Sequence, residues 1–342
     1  MKVIIPAGGY GTRMRPHTHT RPKPLVPVAG RPSLAFILDA LKPLPVEEVI
    51  VITGRMGEQM EEYVTSHYDY KARFIEQKVM RGQADAIALA EPYIQGGDLL
   101  SIFVDTLFEA DLSVVTNLTG ADGVMFVAEV PDPSRFGIAV EGPDGYVTRV
   151  VEKPQVLESN LAVVGLYYFK DALWLFRAIH KLMDSGRNRS GEYFLADALQ
   201  VMIDEGAKFI TAPVLVWEDT GTPEAVLHSN RYLLRGMDKH TEPYMHGTSL
   251  VVPPSYISPE ASVEQCVIGP YASISEGAII RDSIIKNSII SAKARITAAM
   301  LFGSLIGEGA VVEGSYQALN ISDHSQTHIL GASAAEVDET FK

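Results

Sequence analysis

Between Ile257 and Val312 apolar residues recur at six-residue steps in a succession of short runs. The series runs Ile257 and Val263; Ile268, Ile274 and Ile280; Ile284, Ile290 and Ile296; then Ile306 and Val312. Four residues after many of these stands a small or β-branched residue: Ala261, Val267, Ala272, Ala278, Ser288, Ala294 and Ala310. A hexapeptide period belongs to a β-helix solenoid, in which each short strand turns one branched side chain inward and stacked coils bury it. The alternative, an antiparallel sandwich of Ile-rich strands, would alternate with period two and carry Asn-Gly or Asp-Gly turns. The segment contains no such turns.

The preceding residues follow a different pattern. Apolar runs at 2–5, 47–53, 72–77, 99–104 and 122–130 read as strands. Between them, 33–42, 57–66 and 83–91 suit helices. This alternation predicts a mostly parallel sheet with helices on both faces. Residues 136–151 read as a hairpin turning at Pro143-Asp144-Gly145. Helices are expected at 171–185, at 192–205 and from 223, where Thr222 is the N-cap and Pro223 the first helical residue. The expected division is therefore 1–236, then a β-helix over 250–329, then a disordered tail at 330–342.

With 342 residues and 46% hydrophobic side chains, the chain has material for more than one core. Its one cysteine, Cys266, excludes an internal disulfide and a cysteine-cluster metal site. Together with an N-terminus lacking an export pattern, this predicts a cytoplasmic protein. No apolar run reaches the ~18 residues of a membrane span, so no membrane partner is expected. The net charge of −13 argues against nucleic acid as a partner. It also requires any phosphate site to be locally basic. Arg13, Arg15, Arg21, Lys23 and Arg31 lie in a stretch with no acidic residue between Lys2 and Asp39.

That basic stretch opens with Ala7-Gly8-Gly9-Tyr10-Gly11-Thr12-Arg13, directly after the first strand. Glycines let backbone N–H groups approach a polyphosphate closely, and Arg13 adds a bidentate donor. The loop is not a Walker motif, since no Gly-Lys-Ser/Thr follows. It also fails the dinucleotide fingerprint, because Met14 stands at the third glycine. Downstream, Pro22 and Pro24 brace Lys23 in rigid extended backbone.

The run AGGYGTRMRP…RPKPLVP resembles the signature of the sugar-phosphate nucleotidylyltransferases. So do EQKVMRGQADA at 76–86, EKP at 152–154, NLAVVGLY at 160–167 and WEDTGT at 217–222. The resemblance covers essentially the whole chain. It implies an α/β fold: a Rossmann-like mixed sheet with helices on both faces, followed by a C-terminal left-handed β-helix of hexapeptide repeats. Within the family the chain is most similar to the long form of the glucose-1-phosphate thymidylyltransferases, on SNLAVVGLYYF (159–169), RFGIAV (135–140), IGPYASISEGAIIRDS (268–283) and SDHSQTHI (322–329).

The resemblance also implies residue roles. Asp105 and Asp219 would hold Mg2+, although Val104 stands where the family usually has glycine. Gly8, Gly9, Gly11 and Thr12 would cradle the nucleotide, with Gln77 and Gly82 reading the base. Gly137, Glu152, Lys153 and Tyr167 would bind the sugar. Tyr167 could equally be a core aromatic, and Glu152-Lys153 a solvated pair. Arg13, Lys23 and Lys153 would neutralise the reacting phosphates. His17 and His19 read as loop residues beside the phosphate site. The substrates implied are a nucleoside triphosphate, dTTP first, and a sugar 1-phosphate, glucose 1-phosphate first. UTP with N-acetylglucosamine 1-phosphate, or GTP with mannose 1-phosphate, stays open. So do an acyltransferase role for the β-helix, which lacks a histidine between His246 and His324, and a non-catalytic sensor. The flat coil faces suggest a homo-oligomer.

Overall fold

The computed structural model describes residues 1–314 except 187, 189 and 190. The expected last coils at 315–329 and the tail at 330–342 lie outside the described residues.

The chain begins with β1 (Lys2–Ala7), a short ribbon of β2 (Pro27–Val28) and β3 (Arg31–Pro32), and α1 (Ser33–Ala40). β4 (Glu48–Thr53), α2 (Gly57–His67), β5 (Ala72–Glu76), α3 (Gln83–Ala88) and β6 (Leu99–Ile102) follow. Next come β7 (Thr106–Ala110), α4 (Ser113–Thr116), β8 (Gly123–Glu129), the hairpin β9 (Gly137–Glu141) and β10 (Val147–Glu152), and β11 (Leu161–Phe169). α5 (Ala172–Asp184), α6 (Leu195–Asp204), β12 (Phe209–Asp219) and α7 (Pro223–Met237) complete this part. Thr222 caps α7 as expected, its hydroxyl accepting from Ala225 N at 3.2 Å.

Ten strands form one sheet in the order β5-β4-β1-β6-β11-β8-β12-β7, with the β9–β10 hairpin attached through β9 to β11. The expectation of a mostly parallel sheet holds only for one half. β5, β4, β1 and β6 are parallel, but β11 runs antiparallel to both β6 and β8, and β7 antiparallel to β12. β8 and β11 are linked through a hairpin without a crossover helix, and strands joined that way return antiparallel. Alternation along β1 and β4 feeds two cores. Ile4, Ile50 and Ile52 face α3, α5 and α6. Val3, Ile5, Val49 and Val51 face α1 and α2.

Residues 249–313 wind as short strands stacked into three parallel faces, a β-helix of hexapeptide repeats. Ile257, Ile274, Ile290 and Ile306 stack on one face, and Val263, Ile280, Ile296 and Val312 on another. On the third, Ile268 stacks on Ile285 and then Leu301. Ile285 is fully buried while Ile284 is only partly so. The period of six is therefore not strict: five-residue steps occur from Val263 to Ile268 and again from Ile280 to Ile285, where the inward position is Ile285 and not Ile284.

The β-helix and the sheet meet along α7. Met14, Val26, Val226, Leu227 and Ile289 form one small buried cluster across this seam. Asn230 of α7 is fully buried there. Its Oδ1 accepts from Ala29 N (2.9 Å) and Ser273 Oγ (2.7 Å), and its Nδ2 donates to Tyr271 O (3.2 Å). A buried amide is tolerable only when its nitrogen and oxygen find partners, and both do here.

Candidate active site

The glycine turn leaves β1 at the carboxyl edge of the parallel strands, where open sheets of this kind place ligands. Gly11 is left-handed (φ 58°), and its carbonyl accepts from Thr18 Oγ1 at 2.8 Å. A Cβ at Gly11 would lie 3.0 Å from Thr18 Cγ2 and 3.3 Å from Lys23 Cβ. Any other residue would meet both backbone strain and crowding there. Beyond it, Thr12–Met14 makes one 3-10 turn, and Met14 plugs into the seam with the β-helix.

Asp105 lies in the turn between β6 and β7, not at the end of a strand running to 104. Asp219 is the last residue of β12, paired with Thr106, the neighbour of Asp105. Thr220 N and Oγ1 both donate to the Asp105 carbonyl, at 2.9 and 3.0 Å. The two aspartates are therefore carried on adjoining chain ends clamped by backbone. Lys23 Nζ is 4.0 Å from Asp105 Oδ2, and its side chain is 12% exposed. Burial pushes the Lys23 ammonium below its ordinary pKa. Asp105 and then Asp219 pull it back up, and Arg13 pushes it down again.

Gly221 is the notch that brings these groups together. A Cβ built on it would stand 2.7 Å from Asp219 Oδ1 and 2.9 Å from Arg13 Nη2. Gly221 N donates to Asp219 Oδ1 at 2.6 Å, which fixes that carboxylate. Among the described residues no group of three or more His, Cys, Asp and Glu gathers around a metal position. Two hard oxygen donors at the lip of a cleft suit a divalent ion whose other ligands are phosphate oxygens and water, which is the habit of magnesium. Val104 sits at the cleft floor and packs into the second core, so its side chain is absorbed there.

A cavity of about 410 Å³ lies between the glycine turn and residues 77–86. Of the residues expected to act, Gly8, Gly9, Gly11, Thr12, Arg13, Lys23, Gln77, Gly82 and Asp105 all line it. Met80, Gln83, Phe103, Glu192 and Gly221 line it too and were not anticipated from the sequence. Gly82 (φ 98°) packs against Tyr193, whose backbone a Cβ would approach to 2.5 Å. Gln77 is buried (6% exposed), and its Nε2 donates to Gly82 O (3.2 Å) and Asp85 Oδ2 (2.9 Å).

The expected sugar-binding residues lie beside this cavity, not in its lining. Gly137 pairs with Glu152 across the β9–β10 hairpin, and a Cβ on Gly137 would come within 3.1 Å of Glu152 Oε2. Tyr167 is 6% exposed and belongs to the first core, its ring edge-on to Phe103 and stacked with Phe169. Burial first, then Glu152 and Asp105, push its hydroxyl pKa up. That hydroxyl therefore feels both the hairpin carboxylate and the first aspartate. Lys153 adopts a left-handed backbone (φ 46°), with its ammonium 5.7 Å from the Phe194 ring centroid. Trp217, two residues before Asp219, packs on Phe136 at 4.7 Å. His17 is half-buried near Gly307 of the β-helix, and burial lowers its pKa. No helix among the described residues is long and apolar enough to cross a membrane.

A sequence model of the nucleotidyl transferase family matches residues 2–236. The glucose-1-phosphate thymidylyltransferase of Streptomyces antibioticus is 31% identical over 360 residues, covering 96% of this chain and 99% of its own. The UTP-glucose-1-phosphate uridylyltransferase AglF of Haloferax volcanii is 33% identical over 235 residues, covering 66% of this chain and 93% of its own. Among solved structures, a UDP-glucose pyrophosphorylase complexed with UDP-glucose superposes with a TM-score of 0.61 at 22% identity. It covers 69% of this chain and 98% of its own, and at that identity the likeness speaks for the fold alone.

Proposed function

Because the chain belongs to the nucleotidyl transferase family, we propose that it transfers a nucleoside monophosphate from dTTP to glucose 1-phosphate, releasing pyrophosphate. The coarser statement, that it is a sugar-1-phosphate nucleotidyltransferase, follows from the family and its full-length relatives. The observation that carries the transfer chemistry is the convergence of Arg13, Lys23, Asp105 and Asp219 at one end of the glycine turn. The choice of dTTP and glucose 1-phosphate draws its support from the full-length thymidylyltransferase relative.

In this reading a sugar 1-phosphate oxygen attacks the α-phosphorus in line. A new P–O bond forms as the bond to the β-phosphate oxygen breaks, and its electron pair leaves with pyrophosphate. No protein nucleophile is needed; the obstacle is bringing two polyanions together. Arg13 and Lys23 would offset the triphosphate charge, and Lys153 that of the sugar phosphate. Glu152 and the Gly137 backbone would take the sugar hydroxyls, with Tyr167 supporting them from beneath. Asp105 and Asp219 would hold magnesium, which when bound supplies charge neutralisation at the α-phosphate. Fixing both substrates in one cleft can contribute roughly 7–11 kcal/mol to lowering the barrier.

The same reading assigns residues 1–236 to catalysis and 250–329 to a β-helix that serves assembly as a homo-oligomer. It puts the enzyme in the cytoplasm, consistent with a single buried thiol, Cys266. A panel of dTTP, UTP and GTP against glucose, N-acetylglucosamine and mannose 1-phosphates, read as pyrophosphate release, tests it. Highest kcat/KM with dTTP and glucose 1-phosphate is the expected result; release with none of the nine pairs would refute it. Partial use of UTP is expected, because the thymine methyl is worth only ~1–3 kcal/mol in an apolar pocket.

A further inference from the structure

Gln77 is a buried polar group in the wall of the cavity, and its amide can be oriented without ambiguity. One terminal atom lies 3.2 Å from the Gly82 carbonyl and 2.9 Å from Asp85 Oδ2. Both partners are acceptors, so that atom must be the NH2 group. The carbonyl oxygen then points the other way, towards Gly8, where a Cβ would stand 3.3 Å from it. Gly8 and Gln77 line the same cavity. Gln77 therefore shows the cavity an acceptor, and its donors are turned into the wall.

The carbonyl of Gly82 would hold the NH2 group only weakly by itself. Asp85 makes the choice firm. It is 4% exposed, and Arg81 Nη2 grips its other oxygen at 2.6 Å. The Arg81 contact takes one oxygen of the Asp85 carboxylate and aims the other at Gln77, and a carboxylate has no hydrogen to offer a flipped amide. Flipping Gln77 would set two acceptors face to face in a buried site, a costly arrangement.

We infer that Asp85 is a positioning residue for nucleotide choice: it locks Gln77 so that the cavity accepts bases presenting a ring N–H donor, as uracil and thymine do, and rejects cytosine, whose N3 is an acceptor. The inference rests on the nucleotide-site reading proposed above and adds to it the group that sets the polarity of the base contact. Asp85 does not touch the base; it acts through Gln77.

The test compares the wild-type chain with Asp85→Asn, which keeps the shape but can donate to a flipped Gln77. Binding of UTP and CTP is measured by calorimetry, and turnover by pyrophosphate release. The wild type should prefer UTP over CTP by about 100-fold or more, because a buried acceptor left facing an acceptor is strongly rejected. In Asp85→Asn the preference should fall about tenfold, with the KM for sugar 1-phosphate unchanged. Arg81→Gln, at an exposed position, should move it the same way by less. An equal loss of affinity for both nucleotides in both variants, leaving the ratio intact, would mark Asp85 as merely structural and overturn the inference. So would equal binding of CTP and UTP by the wild type. Base preference in binding without any turnover would support the inference while refuting the proposed reaction. If Asp85→Asn does not fold, the Arg81→Gln ratio decides alone.

Discussion

Lys23 Nζ stands 4.0 Å from Asp105 Oδ2, with Asp219 and Arg13 acting on the same ammonium. A lysine so buried, sharing two carboxylates with a cation, is poised to exchange protein partners for phosphate oxygens. Lys23→Ala should lower kcat/KM by about 100-fold or more. Burial holds the Lys23 pKa below the ordinary 10.5, so the alkaline limb of the pH–rate profile should fall below that value and move upward in Lys23→Arg. The sign for stability is opposite. Between the folded and unfolded pKa values the unfolded chain binds the extra proton, so this lysine makes the fold more stable as pH rises through that window. An alkaline limb unchanged in Lys23→Arg would exclude Lys23 as its source.

Arg13 leans over Gly221 towards Asp219. Its charge should matter most as pyrophosphate departs, so Arg13→Ala should lower kcat by about 100-fold with little change in nucleotide KM. Steady-state kinetics with only a raised KM would contradict this role.

Lys153 is held by its neighbours in a left-handed backbone beside Phe194. If it grips the sugar phosphate, Lys153→Ala should raise the KM for sugar 1-phosphate about tenfold and leave the nucleotide KM alone. Unchanged saturation by sugar 1-phosphate would remove Lys153 from the site.

Glu48, at the start of β4, has a side chain only 3% exposed and meets Lys2 and Arg73, each at 3.1 Å. Burial pushes its pKa up, but Lys2, then Lys71 and Arg73, outweigh that and leave it below the ordinary 4.5. Its stabilisation is present above the unfolded value and is lost as pH falls through the depressed folded one. Glu48→Gln should cost about 2 kcal/mol at neutral pH, discounted because both cations reach water, and should flatten the acid limb of stability. Denaturant midpoints at neutral and acid pH measure both effects.

Asn230 makes three hydrogen bonds at the seam between sheet and β-helix, two of them to the β-helix residues Tyr271 and Ser273. Asn230→Ala strands Ala29 N and Ser273 Oγ in a dry interface and should destabilise by about 2–3 kcal/mol. A denaturation midpoint within error of wild type would show that the seam does not depend on this side chain.

The periodic parts of the chain could be read directly. β1 and β4 are continuous apolar runs, and the coil faces repeat their isoleucines. β7 and β12 escaped because their pattern is broken. β7 begins four residues after β6 ends, with Glu109 interrupting it, and β12 carries Pro213 and a bulge that leaves Leu215 80% exposed. The antiparallel half of the sheet was hidden for the same reason. Motif spacing located the phosphate side of the cleft, since Gly8 to Lys23 fold back on themselves locally. Glu192 and Phe103 had no such signal, because they come from distant segments and meet the rest only in three dimensions; Gly221 lay within the WEDTGT motif, but its closeness to Arg13 shows only in the fold. Asp85 lay within the quoted stretch 76–86, but its bond to Gln77 depends on how α3 is turned.

Met14 leaves the glycine turn and buries itself against Ile289, so the ground beneath the phosphate loop is supplied partly by the far end of the chain. A protein cut back after α7 would keep every group that faces a phosphate, yet Met14, Val26 and Leu227 would be left bordering solvent. The repeating coils are thus a foundation for the loop and not a detachable annex, and engineering that treats them as a removable tail would be undermining the chemistry from below.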